Sequence, residues 1–217
     1  ENKTLKRTLS HYARDTARLN VLMAENERLK EALRFTERQK LSDKLVYQIA
    51  RVVAVNQDTS NDAFKIDLGE RDGIKPDLPV VTTDGLIGRV IRVSEFSSNV
   101  LMLKDINDQS LNSRGISVTS LEHPDSFGVI EAYDHETGYL IMSKIKQEDP
   151  LQVGDTIVTS GLGEVYPAGL IIGTVVSRQE GSFGITHVAE IKPAADMSMS
   201  GLREVFVVQN AWDVAEP

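Results

Sequence analysis

Residues 80–93 read VVTTDGLIGRVIRV, and residues 157–177 read IVTSGL, GEVYPAG and LIIGTVVS in succession. Each stretch has a valine–threonine strand, a glycine turn and a second strand of the form L-I-(I)-G-x-V, so one structural unit echoes in another. Short runs rich in β-branched residues and bounded by Gly, Asp, Asn or Ser read as strands. Outward from the two stretches such runs recur at regular intervals. A first set covers 46–55, 64–68, 79–82, 86–93, 99–103 and 111–118, and a second covers 127–132, 139–143, 156–159, 170–177, 186–191 and 204–208. Turn signals separate them at Asp72-Gly73, Asp84-Gly85, Gly138, Gly154-Asp155 and Gly181-Ser182. Many short, evenly spaced strands predict a sandwich or barrel. The expected fold is mainly β: a coiled-coil helix over 1–45, then two small six-stranded β-barrels over 46–118 and 126–209. A linker at 119–125 joins them and a tail covers 210–217. Whether the final strand pairs back with the first barrel, making the second an insertion, stays open from sequence.

Before residue 45 the pattern changes. Leu5, Leu9, Tyr12, Thr16 and Leu19, then Leu22, Asn26, Leu29, Leu33 and Thr36, are spaced alternately by four and three. That period, near 3.5, is a coiled-coil seam. No Gly or Pro precedes Gly69, so a helix from Thr4 to Lys40 would be unbroken and about 55 Å long. The step from Leu19 to Leu22 is a stammer, which overwinds the supercoil locally. Asn26 then falls as a lone polar a residue, the kind that fixes register in a parallel dimer, with Glu25 at g and Lys30 at the next e. The other reading is one amphipathic helix packed on its own β-body.

Composition narrows the function. The chain has 217 residues, is 41% hydrophobic and contains no cysteine, which excludes disulfide scaffolds, zinc–cysteine sites and thiol catalysis. It contains no apolar run long enough to span a bilayer, and it starts at Glu1 rather than Met, which suggests a fragment or processed form. Residues 1–45 carry 11 Lys and Arg against 7 Asp and Glu, and the remainder 13 against 25. An acidic body does not suit nucleic acid, whose phosphates need a positive field. The basic start (Lys3, Lys6, Arg7, Arg14, Arg18) suits either an anionic membrane surface or a solvated helix face.

Catalytic patterns are weak. His11, His123, His135 and His187 form no metal-binding spacing, and no G-x-S-x-G elbow surrounds any serine. A triad would have to assemble from distant residues, for instance His135 or His187 with an Asp and Ser160. Two six-stranded barrels resemble the architecture of chymotrypsin-like proteases, but fold is not function. The Gly161-x-Gly163 pair lacks the Lys-Ser/Thr and the helix of a phosphate loop. The most distinctive segment is 153–173, VGDTIVTSGLGEVYPAGLIIG. Within it Gly154-Asp155 makes a turn, Thr159, Ser160, Gly161, Leu162 and Gly163 begin a glycine-rich loop, and Pro167, Gly169 and Gly173 stiffen or close it. A later loop, 196–201, carries Met197 and Met199, residues suited to adaptable contacts.

These motifs match a known family. The coil has Glu25-Asn26-Glu27-Arg28-Leu29. The first barrel has Ile66-Asp67-x-Gly69, Asp72-Gly73-Ile74 and Gly85-Leu86-Ile87-Gly88-Arg89-Val90. The second has Val153-Gly154-Asp155-x-Ile157-Val158-Thr159-Ser160-Gly161-Leu162-Gly163, Tyr166-Pro167-x-Gly169 and Gly173-Thr174-Val175. In order and over essentially the whole chain, this resembles the extracytoplasmic region of the rod shape-determining MreC family. Ile157 stands where Val is usual, Glu164 where Gly is common and Tyr166 where Phe is.

The resemblance implies a non-enzymatic scaffold of the bacterial cell-elongation machinery without a cofactor. It implies one transmembrane helix preceding Glu1, a parallel homodimer through the coil, and barrels on the outer side of the cell membrane. It also implies MreD, MreB and class B penicillin-binding proteins as partners in peptidoglycan synthesis, and self-association into higher assemblies in some members. The expected partner loop is 161–169. The runner-up is a membrane-fusion adaptor of an export pump, a class that builds its coil as a helical hairpin; a protease-like enzyme is third.

Overall fold

The computed structural model describes residues 21–26, 28–30, 45–56, 63–106, 115–163, 165–181, 186–198 and 201–210. The chain divides into two compact units, Glu1–Asp43 and Lys44–Pro217. In the first, residues 21–26 and 28–30 are helical. The seam positions Leu22 and Leu29 on that segment are 53% and 49% exposed. Leu5, Leu9, Tyr12, Thr16, Leu19, Leu33 and Thr36 lie outside the described residues, so the stammer and most of the seam do too.

Among the described residues the second unit contains twelve strands. They are β1 (Leu45–Asn56), β2 (Ala63–Ile66), β3 (Pro79–Val81), β4 (Leu86–Ser94), β5 (Ser97–Met102), β6 (Ile116–Ser120), β7 (Gly128–Asp134), β8 (Tyr139–Lys146), β9 (Thr156–Thr159), β10 (Ile171–Glu180), β11 (Thr186–Pro193) and β12 (Glu204–Asn210). They form two closed antiparallel barrels, in the order β1-β12-β3-β4-β5-β2 and β10-β11-β8-β7-β6-β9. Closure leaves neither sheet an unpaired edge. Alternate residues fill each interior: Phe64, Ile66, Val90 and Val100 in the first barrel, Ile130, Leu140, Met142 and Ile191 in the second, each at most 2% exposed. Such a side chain contributes about 1.5–3 kcal/mol on burial.

The topology corrects the expected domain boundaries. Residues 46–118 do not close by themselves, because β6 pairs with β7 and β9 of the second barrel. The first barrel closes instead through β12, which lies antiparallel to β1 from Leu45↔Asn210 to Arg51↔Glu204 and also pairs with β3. The final strand therefore returns, and the second barrel (β6–β11) is inserted between β5 and β12. The supposed linker 119–125 begins inside β6 and ends in the β6–β7 connection. Strand pairing over such sequence separations depends on which edge remains open after local hairpins form, and local residue pattern does not record that.

The echo in the sequence is an echo in register. In the first barrel Val80 faces Gly88 and Val81 faces Leu86, leaving Ile87 as the extra residue of a bulge. In the second, Ile157 faces Gly173 and Val158 faces Ile171, leaving Ile172. A second bulge follows on each strand, at Ile91 against β5 and at Val176 against β11. β4 and β10 thus bend twice at matching places, which curls each sheet into a small barrel. Just upstream, Asp77 N–H donates to Val90 O (2.8 Å) and Val90 N–H to Leu78 O (2.9 Å). Gly154 N–H to Val175 O (2.9 Å) and Val175 N–H to Asp155 O (3.0 Å) are their counterparts. Asp77 and Gly154 both take positive φ, 70° and 99°. Glycine adopts that conformation without a Cβ penalty; Asp77 is one of the few residue types that tolerate it, and its carboxylate pairs with the buried Arg89.

Candidate functional site: the long hairpin of the second barrel

The two matching hairpins differ in what joins their strands. In the first barrel Thr82 N–H donates to Gly85 O (2.8 Å), closing a tight turn over residues 83–84. In the second, Thr159 N–H donates to Leu170 O (2.9 Å), so the corresponding turn opens into the loop 160–169. Thr159 holds its base: the buried hydroxyl donates to Pro167 O (2.5 Å) and accepts the Leu170 N–H (2.9 Å). Thr82 Oγ1 likewise bonds the short turn, donating to Gly85 O (3.3 Å) and accepting the N–H groups of Asp84 (3.2 Å) and Gly85 (3.4 Å).

The loop has two faces. Ser160 N–H extends the ladder to Ser117 O (3.0 Å), and Ser160 Oγ accepts the Leu162 N–H (3.2 Å). This local turn projects Leu162, which is 66% exposed, between Gly161 and Gly163. Farther on, Tyr166 turns inward and is 8% exposed. Burial pushes its phenol well up from the ordinary tyrosine value, while the Arg89 charge draws it down and Asp77 adds to the rise. Tyr166 of the second barrel therefore lies within electrostatic reach of the Arg89–Asp77 pair of the first. The contact between barrels continues at the short turn, where a Cβ on Gly85 would lie 2.7 Å from Ile171 O and 3.3 Å from Ala194 Cβ. It also includes the bond from Tyr133 N–H to Ile106 O (3.2 Å). Sequence reasoning placed 161–169 as one partner loop and missed the inward role of Tyr166. The available signal was an aromatic ring beside proline in an otherwise small and polar stretch.

Of the remaining motif residues, Asp155 and Gly173 are held within the fold. Asp155 is 6% exposed, and its Oδ2 accepts the Gln152 N–H (3.0 Å) and the Ser120 hydroxyl (3.0 Å) and faces His123 Nδ1 (2.8 Å). Burial alone would raise this carboxyl; the bonds from Gln152, His123 and Ser120 outweigh it and hold the group below the usual carboxylate range. Ser, His and Asp meet here in the wrong order for hydrolysis. Ser120 is 1% exposed and its hydroxyl is turned to the carboxylate rather than to an imidazole nitrogen, so in this cluster the imidazole does not activate that hydroxyl. The two histidines considered beside Ser160 have other neighbours: His187 Nδ1 accepts from Arg178 Nε (2.9 Å), and His135 packs edge-on against Tyr133. Gly173 fits the β10–β11 ladder so tightly that a Cβ would stand 2.1 Å from Lys192 O. Met197 is buried; Met199 and His11 lie outside the described residues. Among the described residues no group of three or more His, Asp or Glu is placed to hold a metal ion, and no helix is long and apolar enough to cross a membrane.

Two closed barrels, one inserted in the sequence of the other and joined by contacts of an elongated hairpin loop, define a double-barrel protein. The chain belongs to the MreC family: the family profile described as "Rod shape-determining protein MreC, barrel core" matches residues 52–209. The cell shape-determining protein MreC of Listeria monocytogenes is 35% identical over 197 residues, covering 91% of this chain and 64% of that protein. The Bacillus subtilis protein of the same name is 32% identical over 213 residues, covering 96% and 71%. Among solved structures, the Listeria MreC superposes with a TM-score of 0.71 at 32% identity, covering 97% of this chain and 96% of that one. A complex between Penicillin-Binding Protein (PBP2) and MreC from Helicobacter pylori contains the same fold at 18% identity and a TM-score of 0.58, covering 77% of this chain and 99% of that one. The match sides with the cell-shape family over the pump adaptors.

Proposed function

We propose that this chain is a non-enzymatic scaffold of the cell-elongation machinery. Through its barrels it organises peptidoglycan synthases on the outer side of the bacterial membrane. The observation that carries this reading is the match over 52–209, which spans both barrels and the strand that returns between them. Relatives are named for determining cell shape, and the Helicobacter pylori family member is captured with PBP2, which supports a class B penicillin-binding protein as partner. MreD and MreB complete the proposed complex. A parallel homodimer through Leu5, Leu9, Tyr12, Thr16, Leu19, Leu22, Asn26, Leu29 and Leu33, anchored by a helix preceding Glu1, sets the barrels off from the membrane. Within the loop, Ser160 to Gly163 form the face proposed to meet the partner. A regulator of this kind shifts synthase activity by preferring one of its conformations.

The test is replacement. In a rod-shaped bacterium depleted of its own family member, a membrane-anchored protein carrying these residues should restore rod shape and co-purify with the elongation-specific penicillin-binding protein. Round cells despite normal expression would overturn the reading. Sedimentation equilibrium of the 217-residue chain at micromolar concentration reads the coil separately: dimer is expected, and monomer throughout removes the homodimer from the proposal.

A further inference from the structure

A groove of about 530 Å³ lies where the barrels meet, within the size range of small-ligand sites. Lys104, in a short 3₁₀ turn after β5, contributes from the first barrel. Tyr133, His135 and Tyr139 of the β7–β8 hairpin, Lys192 at the end of β11 and Asp196 in the return to β12 contribute from the second. Tyr133 and His135 meet edge to face, with centroids 5.1 Å apart and planes at 81°, so two rings form a corner. The Asp196 carboxylate accepts the Ser198 N–H and hydroxyl, both at 2.8 Å. These bonds, backbone first, hold it below the usual carboxylate range, so it lines the groove as a fixed acceptor. None of the large hydrophobic side chains exposed among the described residues, such as Phe96, Leu121 or Leu162, lines the groove. A protein-docking patch would gather some of them; a concave site with rings, two ammonium groups and one fixed carboxylate suits a small polar ligand.

We propose that this groove binds a carboxylate-bearing glycopeptide, which in a cell-wall scaffold means an uncrosslinked peptidoglycan fragment. Sugar rings stack on the tyrosine faces, Asp196 accepts from sugar hydroxyls or peptide N–H groups, and the exposed Lys192 receives a carboxylate. The chemistry comes from the groove, while the choice of wall fragment rests on the scaffold reading above. Calorimetric titration of the 217-residue chain with a soluble disaccharide-tetrapeptide muropeptide should show saturable binding. Chitotetraose (rings without carboxylates) and inorganic phosphate (charge without rings) should each bind at least ~10-fold more weakly. Lys192→Glu, which changes an exposed side chain, and Tyr139→Ala should each weaken muropeptide binding by at least ~10-fold. The proposal is overturned by no muropeptide binding, by chitotetraose or phosphate binding as tightly, or by unchanged binding in a folded Lys192→Glu variant. Restoration of rod shape is scored separately, so a wild-type chain that restores shape but binds no fragment refutes the groove and leaves the scaffold standing.

Discussion

The β3–β4 hairpin closes over residues 83–84 and the β9–β10 hairpin over 160–169, yet the strands beneath them share a register, two bulges and a positive-φ entry. Framework and loop obey different constraints. Backbone pairing and close approach hold β4 and β10 to one pattern, so Gly88 and Gly173 recur with carbonyl oxygens 2.2 and 2.1 Å from where a Cβ would stand. The connection lies outside that ladder pairing, and its length differs between the two barrels. Where it lengthened, it acquired an inward ring, Tyr166, and an outward one-residue projection, Leu162.

The largest effect follows from the framework. Gly88→Ala and Gly173→Ala each force a methyl group onto a paired backbone carbonyl that cannot rotate away. Each should cost about 4 kcal/mol or more, the range of severe core lesions. Urea denaturation of both variants measures it. A mild effect at one site and collapse at the other would break the equivalence of the two barrels.

Next comes the inward half of the loop. Tyr166→Ala removes an almost fully buried ring beside the Arg89–Asp77 pair and should cost about 3 kcal/mol. The effect should fall mainly on contact between barrels, so limited proteolysis should cut near β6 and β12, where the chain passes from one barrel to the other. Unchanged protease resistance would mean that Tyr166 fills space without clasping. Tyr166→Phe, which keeps the ring, should recover most of the loss.

These two regions also show what the sequence discloses. Strand positions were legible because β-branched runs and turn residues mark each one locally, and all twelve predicted segments contain or overlap an observed strand. The return of β12 was not, because its valines satisfy any open edge equally well. The match of Asp77 with Gly154 was hidden because different residue types solve one backbone problem, one by lacking a side chain and the other by using it to hold Arg89. In the candidate loop, the turn glycines were legible and the split between inward Tyr166 and outward Leu162 was not, since burial there depends on the other barrel.

Asp155 ranks third, and it sharpens the same contrast, because its counterpart Leu78 carries no charge. Asp155→Asn weakens bonds to Ser120, Gln152 and His123 and should cost about 2 kcal/mol at neutral pH. Its carboxyl is lowered in the folded state, so its stabilisation is present above the unfolded value near ~3.9 and is lost as pH falls through the folded value. The gap in melting temperature between wild type and Asp155→Asn should therefore narrow as the pH is taken below about 4. A gap that stays constant into acid would show that the effect is steric rather than ionic.

Leu162→Ser should be the smallest change in stability and the most telling about the loop. The side chain is 66% exposed and its position is set by backbone bonds around Ser160, so substitution should alter unfolding by no more than ~0.5 kcal/mol. If the outward half of the loop meets a synthase, the same substitution should reduce co-purification of the penicillin-binding protein, since an exposed leucine contributes to binding and little to folding. Tyr166→Ala, by contrast, should lower both. A Leu162→Ser protein that melts normally and still captures its partner would move the proposed interface off this loop. One that melts early would show that the projection packs against something in the fold, and the division of the loop into an inward clasp and an outward contact would fail.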